Sequence, residues 1–482
     1  MVVLSELVAE LESSSAAPRD PSGDASVVLR GDGRVEVTGA THDSRSVTPG
    51  DLFCCVTGGR FDGHRFAAEA VESGAVALLC ERPLGLVVSG RGVPEIEVPD
   101  VRRAMGRAAA AVHGHPSSTL EVIGITGTNG KTTTAAFLGS MLRADGRPTE
   151  VIGTLTGSRT TPEATDLQAQ LAGFRDGGGR SVVMEVSSHA MVLHRVEGSR
   201  FRLALFTNLG RDHLDFHESE EAYFKAKAAL FEPELTDRAL VNADDIHGRL
   251  LLDAAAVPTV AFSVDDVTDL AVGVGGSSGR WRGLPLTVPI GGLHNVANAV
   301  AALTAAELVG VEPAVALSAL AASEPVPGRL EPVHAGQRFT VLVDFAHTPD
   351  GLEQVLRAAR TGPGRVLVVF GAGGDKDKAK RPIMGEVAAR LADLAVVTSD
   401  NPRGEQPEAI IEDVLAGVPP APVARARVVA EPDRRAAIAL ALREARPEDV
   451  VIVAGKGHET VQEVGDRRIP FDDREVVREL LG

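Results

Sequence analysis

The chain has 482 residues, 44% of them apolar, which is enough for two or three domains that each bury a core. Its formal net charge is −17 and no run of Lys or Arg forms a tail, which argues against nucleic acid or an anionic membrane as its partner. With three cysteines, no basic N-terminal cluster and no apolar run near the roughly 20 residues of a membrane span, the sequence predicts a cytoplasmic protein, which we expect to be a monomer.

The first part of the chain alternates short apolar stretches with Gly, Pro and Asp, and it is predicted to form a domain over residues 1–99. Small polar residues predict a loop over residues 13–26. An Ala-rich helix follows over Val101–His113 and ends where His115-Pro116-Ser117-Ser118 breaks the pattern.

A second domain is predicted over residues 100–327 from alternating strand and helix patterns. The predicted strands are Leu120–Ile125, Val182–Val186, Leu203–Thr207, Ala239–Asn242 and Thr259–Phe262, and the predicted helices are Thr132–Leu142, Thr165–Phe174, Ser219–Leu230 and Asn295–Val309. This alternation predicts an α/β domain with a mostly parallel sheet that is covered on both faces.

A hinge is predicted at Pro325-Val326-Pro327-Gly328, and a third domain follows it over residues 328–482. Its predicted strands are Val341–Phe345, Val366–Phe370, Leu394–Thr398 and Val450–Ala454. Helical patterns lie between these strands, so this region is predicted to be a second α/β domain with a buried sheet.

A glycine-rich turn between the first strand and helix of the second domain predicts a site for a nucleoside triphosphate. Its residues are Gly127-Thr128-Asn129-Gly130-Lys131-Thr132-Thr133-Thr134. Glycines let successive N–H groups point at phosphate oxygens, and the helix N-terminus adds positive potential. The lysine supplies a charge for the phosphates and the threonine after it a hydroxyl for Mg²⁺. The spacing departs from the usual phosphate loop, because Ile125 stands where a glycine is expected.

Polar side chains follow two other strands of the same predicted sheet. Glu185 ends one strand, and Asp212, His213 and Asp215 lie in the loop after the next. Ligand-binding groups of open α/β sheets lie beyond the carboxyl ends of the strands, so these side chains are candidate metal ligands. The residue pattern alone leaves Lys225 and Lys227 as ordinary lysines of a helix.

An ordered series of motifs resembles the Mur ligases and covers roughly Asp43 to Arg474. The motifs are Thr126–Thr134, Met184-Glu185-Val186-Ser187-Ser188-His189, Asp212-His213-Leu214-Asp215, Ala226-Lys227, His294–Asn298, Pro327-Gly328-Arg329, Asp344–Pro349, Gly371–Pro382, Asp400-Asn401-Pro402-Arg403 and Gly455–Glu459. The resemblance implies three domains: a small N-terminal α/β domain that binds UDP, a central ATPase domain with a P-loop and a parallel sheet, and a C-terminal Rossmann-like domain that binds the amino acid.

The same resemblance implies an ATP-dependent ligase of cytoplasmic peptidoglycan precursor synthesis. ATP would phosphorylate a carboxylate of UDP-N-acetylmuramoyl-L-alanyl-D-glutamate, and the amine of meso-2,6-diaminopimelate would attack the acyl phosphate. Lys131 would act on the transferred phosphate, Thr132 and Glu185 would hold one Mg²⁺, and His213 would belong to a second metal site. Lys227 matches a lysine that the family carbamylates, because it is the fourth residue after the aromatic that matches Tyr223. Further nucleotide contacts are implied for Gly127–Thr133, Asn295, Arg329, Asp344 and His347.

Substrate contacts are also implied by the resemblance. Ser44 matches a uracil contact, and the muramoyl-peptide would meet Thr160, Thr161, Ser187 and Arg195. The incoming amino acid would meet Arg381, Asp400, Asn401, Pro402, Arg403, Gly455 and Glu459. A guanidinium grips a carboxylate with two hydrogen bonds, so Arg403 would bind the second carboxylate of diaminopimelate and Glu459 its ammonium.

The sequence departs from the family pattern at a few positions, and alternatives stay open. The departures are Leu193 for Gln, Phe345 for Tyr, His294 for an aromatic residue, Lys376 for Arg, and a short stretch between Gly153 and Thr160. They favour, as one alternative, a ligase recruited to a specialised pathway. A relative that adds D-Ala-D-Ala, L-lysine or glutamate (a folylpolyglutamate synthetase) and a non-catalytic nucleotide-binding scaffold are the others.

Overall fold

The computed structural model describes residues 2–13, 27–59, 61–88, 91–420 and 423–482. Nearly all of the predicted loop at residues 13–26 lies outside these ranges. The described residues form three sheets of five or six strands with helices packed on them, so the predicted α/β fold class is confirmed. No helix in these ranges has the length and apolar character needed to cross a membrane.

The N-terminal domain is built on a mixed sheet of five short strands. The elements of this region are β1 (Val2–Val3), α1 (Leu4–Ser13), β2 (Val28–Arg30), β3 (Glu36–Val37), β4 (Gly39–Thr41), β5 (Asp51–Cys54), α2 (Ala67–Glu72), β6 (Ala77–Cys80), β7 (Val87–Val88), β8 (Arg91–Gly92), β9 (Glu95–Glu97) and α3 (Val101–Val112). The sheet order is β2-β9-β6-β5-β4, with β2 antiparallel to β9 and the other neighbours parallel. Leu4, Leu7 and Leu11 bury one face of α1 in the same core, as the helical period of 3.6 residues requires.

The central domain carries a fully parallel sheet of six strands. Its elements are β10 (Glu121–Thr126), α4 (Lys131–Ala144), β11 (Thr149–Ile152), α5 (Ala164–Asp176), β12 (Ser181–Glu185), α6 (Ser188–Val192), β13 (Leu203–Phe206), α7 (Glu220–Ala228), β14 (Ala239–Asn242), α8 (Ile246–Ala254), β15 (Thr259–Phe262), β16 (Val267–Val272), β17 (Ser277–Trp281), β18 (Leu284–Val288), α9 (Leu293–Leu308) and α10 (Pro313–Ala321). The order β11-β12-β10-β13-β14-β15 puts β10 between β12 and β13. The carboxyl ends of these three strands therefore meet at one edge of the sheet.

The predicted elements of the central domain are all present, with ends within two residues of those predicted. Helix α3 packs on both the N-terminal and the central domain. Its Val101 and Met105 join the N-terminal core, and the helix also contacts α5 of the central domain. The boundaries at residues 99 and 327 stay predictions. The antiparallel sheet β16-β17-β18 was not predicted, because its strands expose alternate polar residues and bury few apolar ones, among them Trp281 and Val288.

The C-terminal domain has a second six-stranded sheet. Its elements are β19 (Glu331–Pro332), β20 (Thr340–Asp344), α11 (Pro349–Ala359), β21 (Val366–Phe370), α12 (Lys380–Leu391), β22 (Leu394–Val397), α13 (Pro407–Leu415), β23 (Arg427–Ala430), α14 (Arg434–Glu444), β24 (Val450–Ala454), β25 (Val461–Val464), β26 (Arg467–Pro470) and α15 (Asp473–Leu481). The order is β19-β20-β24-β21-β22-β23, and only β19 is antiparallel to its neighbour. One apolar core runs from α9 of the central domain to α11 of this one, so the two domains face each other closely.

Candidate active site

A cavity of 490 Å³ lies where the central and C-terminal domains meet. Because β10, β12 and β13 are parallel neighbours, the loops that follow them open into it together. The predicted site residues that line it are Thr128, Asn129, Gly130, Lys131, Thr132, Thr133, Thr160, Glu185, Ser187, His213, Asn295, Arg329, Asp344 and His347. The cavity therefore brings together candidate residues that are spread over more than 200 positions of the sequence.

The phosphate loop has the geometry that its glycines predict. Gly127 and Gly130 have φ of +146° and +88°, and a side chain on them would collide with Thr207 and Asn298 respectively. Helix α4 begins at Lys131 directly after the loop, so its first N–H groups lie at the cavity. The Nζ of Lys131 donates to the carbonyls of Gly127 (2.8 Å) and Thr128 (2.9 Å), and burial lowers its pKa.

The predicted ligands of the first metal ion lie side by side. Thr132 Oγ1 donates to Glu185 Oε2 at 3.0 Å, and Glu185 is almost fully buried. The Glu185 carboxylate also accepts hydrogen bonds from the N–H and hydroxyl of Thr154, at 2.9 and 3.2 Å. A hydroxyl and a carboxylate at this spacing fit Mg²⁺, which prefers oxygen ligands about 3 Å apart in an octahedron. Arg329 Nη2 donates to the same hydroxyl at 3.1 Å and so reaches across from the C-terminal domain.

Lys227 lies beneath the phosphate loop and is 1% exposed. Its Nζ donates to the carbonyl of Gly127 at 2.8 Å and stands 4.4 Å from the centre of the Tyr223 ring. Burial, with the nearby charge of Lys131, holds the pKa of Lys227 well below its usual value. A buried amine without its proton is a nucleophile, so this lysine has the chemistry that carbamylation requires. Lys225, on the same helix, is exposed.

Three charged or titratable groups surround the buried carboxylate of Asp212. Its Oδ2 is 3.4 Å from His213 Nε2 and 3.7 Å from His347 Nε2, and its Oδ1 is 3.8 Å from Lys380 Nζ. Burial alone would raise the pKa of Asp212, but these neighbours hold it well below its usual range. Burial lowers the pKa of His213 to about 3, so its imidazole is neutral and able to bind a metal.

The C-terminal domain contributes a fixed carboxylate and a fixed guanidinium. Asp344 accepts hydrogen bonds from the N–H groups of Leu330 and Ala346, both at 2.7 Å, and burial raises its pKa. The Arg329 guanidinium lies 4.8 Å from the centre of the Phe345 ring, so the phenyl that replaces a tyrosine still supports it. On the central domain, Asn295 Oδ1 accepts from Asn298 Nδ2 at 3.1 Å.

The residues predicted to hold the muramoyl-peptide lie on one side of Glu185. Thr161 Oγ1 donates to the Glu185 carbonyl at 2.9 Å and accepts from the Ser187 N–H at 3.1 Å, while the Thr160 hydroxyl is 3.1 Å from that of Thr154. Arg195 is buried, donates to the Thr161 carbonyl and pairs with Glu163 at 2.8 Å. Ser44 lies apart from these groups, in a short turn of the N-terminal domain.

A smaller cavity of 130 Å³ adjoins the first, and both are lined by Asp212, His213, Phe345 and His347. At its other end it is lined by five of the residues predicted to meet the amino acid: Asp400, Asn401, Arg403, Gly455 and Glu459. Arg381 and Pro402 are not among the lining residues. The Arg381 guanidinium is fully buried and bound by Glu405 and Asp413 at 2.8 and 2.9 Å, so it braces the loop behind the cavity instead of facing it.

Several contacts at the site were not predicted from the sequence. Asn208 accepts from the Asn129 N–H at 2.9 Å and helps to shape the phosphate loop. Two further contacts involve residues predicted to bind the incoming amino acid. Lys456 contacts Asn401, and Glu463 contacts Arg403. Lys456 lies inside a recognised motif and could have been found there, whereas Glu463 lies outside every motif. In the described part of the chain no cluster of three or more His, Cys, Asp or Glu side chains has a metal-binding arrangement, so the predicted Mg²⁺ sites would also need Thr132 and the carbamate predicted on Lys227.

Comparison with known proteins agrees with this geometry. Three family models match the chain: "Mur ligase family, catalytic domain" over residues 36–113, "Mur ligase middle domain" over residues 125–306 and "Mur ligase, glutamate ligase domain" over residues 328–457. Proteins named UDP-N-acetylmuramoyl-L-alanyl-D-glutamate--2,6-diaminopimelate ligase are similar to it over most of its length. The protein from Syntrophomonas wolfei subsp. wolfei is 43% identical over 468 residues, 92% of this chain and 95% of its own. The protein from Streptomyces avermitilis is 45% identical over 469 residues, 92% of each chain.

A solved structure of a protein with the same name is similar to the whole chain. It is 31% identical, covers 100% of this chain and 99% of its own, and superposes with a TM-score of 0.66. Sequence, domain order and fold therefore agree from the N-terminal sheet to the last helix. The chain belongs to the Mur ligase family of ATP-dependent, amide-bond-forming enzymes.

Proposed function

We propose that the protein joins meso-2,6-diaminopimelate to UDP-N-acetylmuramoyl-L-alanyl-D-glutamate in cytoplasmic peptidoglycan precursor synthesis. The observation that carries the proposal is the pair of adjoining cavities, one with the phosphate loop and one that ends at Arg403 and Glu459. The shared wall, which includes His213 and His347, is where the phosphate and the incoming amine would meet. Relatives that are 43% and 45% identical bear the name of this activity.

ATP would make a free carboxylate of the D-glutamate reactive. A carboxylate oxygen attacks the γ-phosphorus and ADP leaves. The amine then attacks the acyl carbon, and phosphate leaves with the electrons of the broken C–O bond and takes up the proton that the amine loses. Negative charge gathers on the transferred phosphoryl group, and Lys131 and Arg329 are the cations that line the cavity beside it. Lys131 reaches this position as the first residue of α4, and a hydrogen bond to the Thr132 hydroxyl holds Arg329 there.

Mg²⁺ fits the oxygen ligands of the site. We propose that Thr132 and Glu185 hold one ion, and that His213 and a carbamate on Lys227 hold a second. When bound, the ions would withdraw charge from the phosphate oxygens. The carbamate would also replace a buried amine by an anion beside Lys131, which offsets the charge of that lysine.

The second cavity supports an amino acid with charges at its far end. Arg403 would receive the distal carboxylate of diaminopimelate and Glu459 its distal ammonium. L-Lysine has the ammonium but no carboxylate for Arg403, and D-Ala-D-Ala has a carboxylate but no second ammonium for Glu459. The arrangement therefore favours diaminopimelate over these alternatives.

The test is turnover with single candidate amino acids. The protein is incubated with ATP, Mg²⁺ and UDP-N-acetylmuramoyl-L-alanyl-D-glutamate, and phosphate release and product mass are measured. Product with meso-diaminopimelate alone supports the proposal, and product with lysine instead contradicts the choice of amino acid. No product with any of them would favour a ligase of a specialised pathway, and Leu193 with the short Gly153–Thr160 stretch would be examined next. A monomer stays our prediction, which light scattering of the purified protein would test.

A further inference from the structure

The amino-acid cavity is bordered by two charged side chains that none of the functional assignments above includes. Lys456 is fully buried, and Glu463 lies on strand β25 of the C-terminal hairpin. Both contact residues that are predicted to bind the amino acid.

Glu463 fixes Arg403 through both its main chain and its side chain. The Arg403 N–H donates to the Glu463 carbonyl at 3.0 Å, and the Gly465 N–H donates to the Arg403 carbonyl at 2.7 Å. These bonds hold Arg403 at φ +49°, a left-handed conformation that a side-chain-bearing residue adopts only when its surroundings impose it. The Glu463 carboxylate then accepts from Arg403 Nε at 3.0 Å.

The rest of the guanidinium is less fully bound by the protein. Arg403 Nη1 donates to the Gly374 carbonyl at 3.0 Å, and in the described ranges no hydrogen bond of Nη2 is found. Arg403 lines the small cavity and also a neighbouring cavity that Thr154 and Glu463 line. Glu463 thus occupies one edge of the fork and leaves another edge for a ligand carboxylate.

Lys456 holds the Glu459 carboxylate in place, as Glu463 holds Arg403. Its Nζ donates to Glu459 Oε2 at 3.0 Å and to Asn401 Oδ1 at 3.1 Å. Asn401 Nδ2 donates to the same Glu459 oxygen at 2.8 Å, and Asn401 Oδ1 accepts from the Glu463 N–H at 3.0 Å. The two acids are therefore linked through one asparagine.

This cluster contains two cations and two anions: Arg403, Lys456, Glu459 and Glu463. The formal charges of these four side chains sum to zero, and the sum stays zero when the buried Asp400 of the small cavity and Arg468, opposite Glu463 on the hairpin, are included. This balance matches a ligand end that carries both a carboxylate and an ammonium. A lysine side chain would bring an unmatched positive charge, and the distal carboxylate of 2-aminopimelate an unmatched negative one. Unmatched charge in a partly buried site is unfavourable, so the charge of the cluster discriminates between these ligands.

We propose that Glu463 is a positioning residue that determines specificity: it aims Arg403 at the cavity and brings the charge of the cluster to zero. The cavity then selects an amino acid whose far end is itself an ammonium and a carboxylate. This inference rests on the proposed function, and it adds Glu463 as the residue that sets the charge of the amino-acid site.

Two substitutions separate the two roles. Glu463→Gln keeps an acceptor for Arg403 Nε but removes the negative charge, and Glu463→Ala removes both. The kcat and KM of both variants are measured for meso-diaminopimelate, L-2-aminopimelate and L-lysine, beside the unfolding temperature and the KM for ATP. Glu444→Gln, which breaks an exposed pair with Arg427, is the matched control.

We expect Glu463→Gln to raise the ratio of kcat/KM for 2-aminopimelate to that for meso-diaminopimelate by roughly three- to tenfold, since the interaction is partly screened by solvent. The KM for ATP and the unfolding temperature should stay as in the wild type. Glu463→Ala should also raise the KM for meso-diaminopimelate, because Arg403 is released. Glu444→Gln should change neither the selectivity ratio nor the KM for meso-diaminopimelate.

Two outcomes overturn the inference in distinguishable ways. Wild-type protein that uses meso-diaminopimelate, together with an unchanged selectivity ratio in both variants, would refute the role of Glu463 alone. Equal losses on all three amino acids with a lower unfolding temperature would show a structural role only, and would also refute it. Wild-type protein that does not use meso-diaminopimelate would refute the proposed function first.

Discussion

Replacing Lys227 with alanine is expected to remove turnover while the fold survives. The hydrogen bond that its Nζ donates to the Gly127 carbonyl is duplicated, because Lys131 Nζ donates to the same oxygen at 2.8 Å. Losing one such bond costs about 0.5–1.5 kcal/mol, and truncating the buried Lys227 stem beside the Tyr223 ring adds about 2–5 kcal/mol, which is less than the stability of most domains. In the variant the Lys131 ammonium keeps its hydrogen bonds to the carbonyls of Gly127 and Thr128, so this cation is not left without acceptors.

The effect on turnover should be far larger, because the variant cannot form the carbamate. Removing one group that stabilises charge in a transition state costs about 100- to 1000-fold in kcat. Phosphate release measures kcat, and ¹³C NMR with labelled bicarbonate should show a carbamate signal in the wild type that Lys227→Ala lacks. The control is Lys225→Ala, two residues away on the exposed face of the same helix, which should keep both signal and activity. More than a tenth of wild-type turnover in Lys227→Ala, or a carbamate signal that persists in it, would refute the assignment.

Three further perturbations test other parts of the structure. Arg403→Ala should raise the KM for meso-diaminopimelate by roughly 10- to 150-fold, since hydrogen bonds to charged groups contribute about 1.5–3 kcal/mol, and should leave the KM for ATP unchanged. Burial lowers the pKa of His294 from 6.5 to about 4, so the unfolded chain binds its proton first and stability falls as the pH drops between these values. His294→Gln should make the loss of stability between these pH values smaller by about 2 kcal/mol. Urea unfolding, followed by the fluorescence of the single tryptophan Trp281, measures this loss. Asp473→Ala leaves the fully buried Arg434 without its partner at 2.6 Å and should destabilise the C-terminal domain by about 3–5 kcal/mol in calorimetry.

Each of these expectations has a clear contrary result. An equal rise of the KM values for ATP and the amino acid in Arg403→Ala would indicate general damage. A pH dependence of stability that survives His294→Gln would assign it to other groups. Arg435→Ala breaks an exposed ion pair at 2.7 Å on the helix that also carries Arg434, and should change stability by less than about 1 kcal/mol. Similar losses in Asp473→Ala and Arg435→Ala would contradict the importance of burial.

The inner strands of the parallel sheets could be predicted because both of their faces are buried, whereas the edge strands β11 and β23, which are partly exposed, were not predicted. The inner strands read as continuous apolar runs, and Val366–Phe370 and Val450–Ala454 were predicted with the ends that the structure shows. The sheet β16-β17-β18 was not predicted, because exposed polar residues alternate with buried ones and glycines interrupt the pattern. Strand ends predicted the side of the sheet on which Glu185 and His213 lie, but not the 3.0 Å contact between Thr132 and Glu185.

The helical period agrees with the burial of Lys227, but its assignment as the carbamylated lysine depends on the resemblance to the family. Tyr223 and Lys227 are four residues apart on one helix, so they share a face, and a buried aromatic predicts a buried neighbour there. Lys225 is two residues away and therefore points elsewhere. Arg381 matches the family motif but does not line the cavity. Glu405 and Asp413 bind its guanidinium, and the motif could not reveal these contacts.

Glu463 shows why selectivity is harder to predict than catalysis. Its contact with Arg403 joins residues 60 positions apart, through a bridge between Arg403 and Val464 that only the folded hairpin creates. No spacing rule connects an acid on a two-stranded hairpin with an arginine after a parallel strand. Groups that react with ATP lie in loops at strand ends, where elementary topology places them. Groups that set the charge of a substrate cavity can come from any element that packs beside it, so their roles emerge only when distances and charges are considered together.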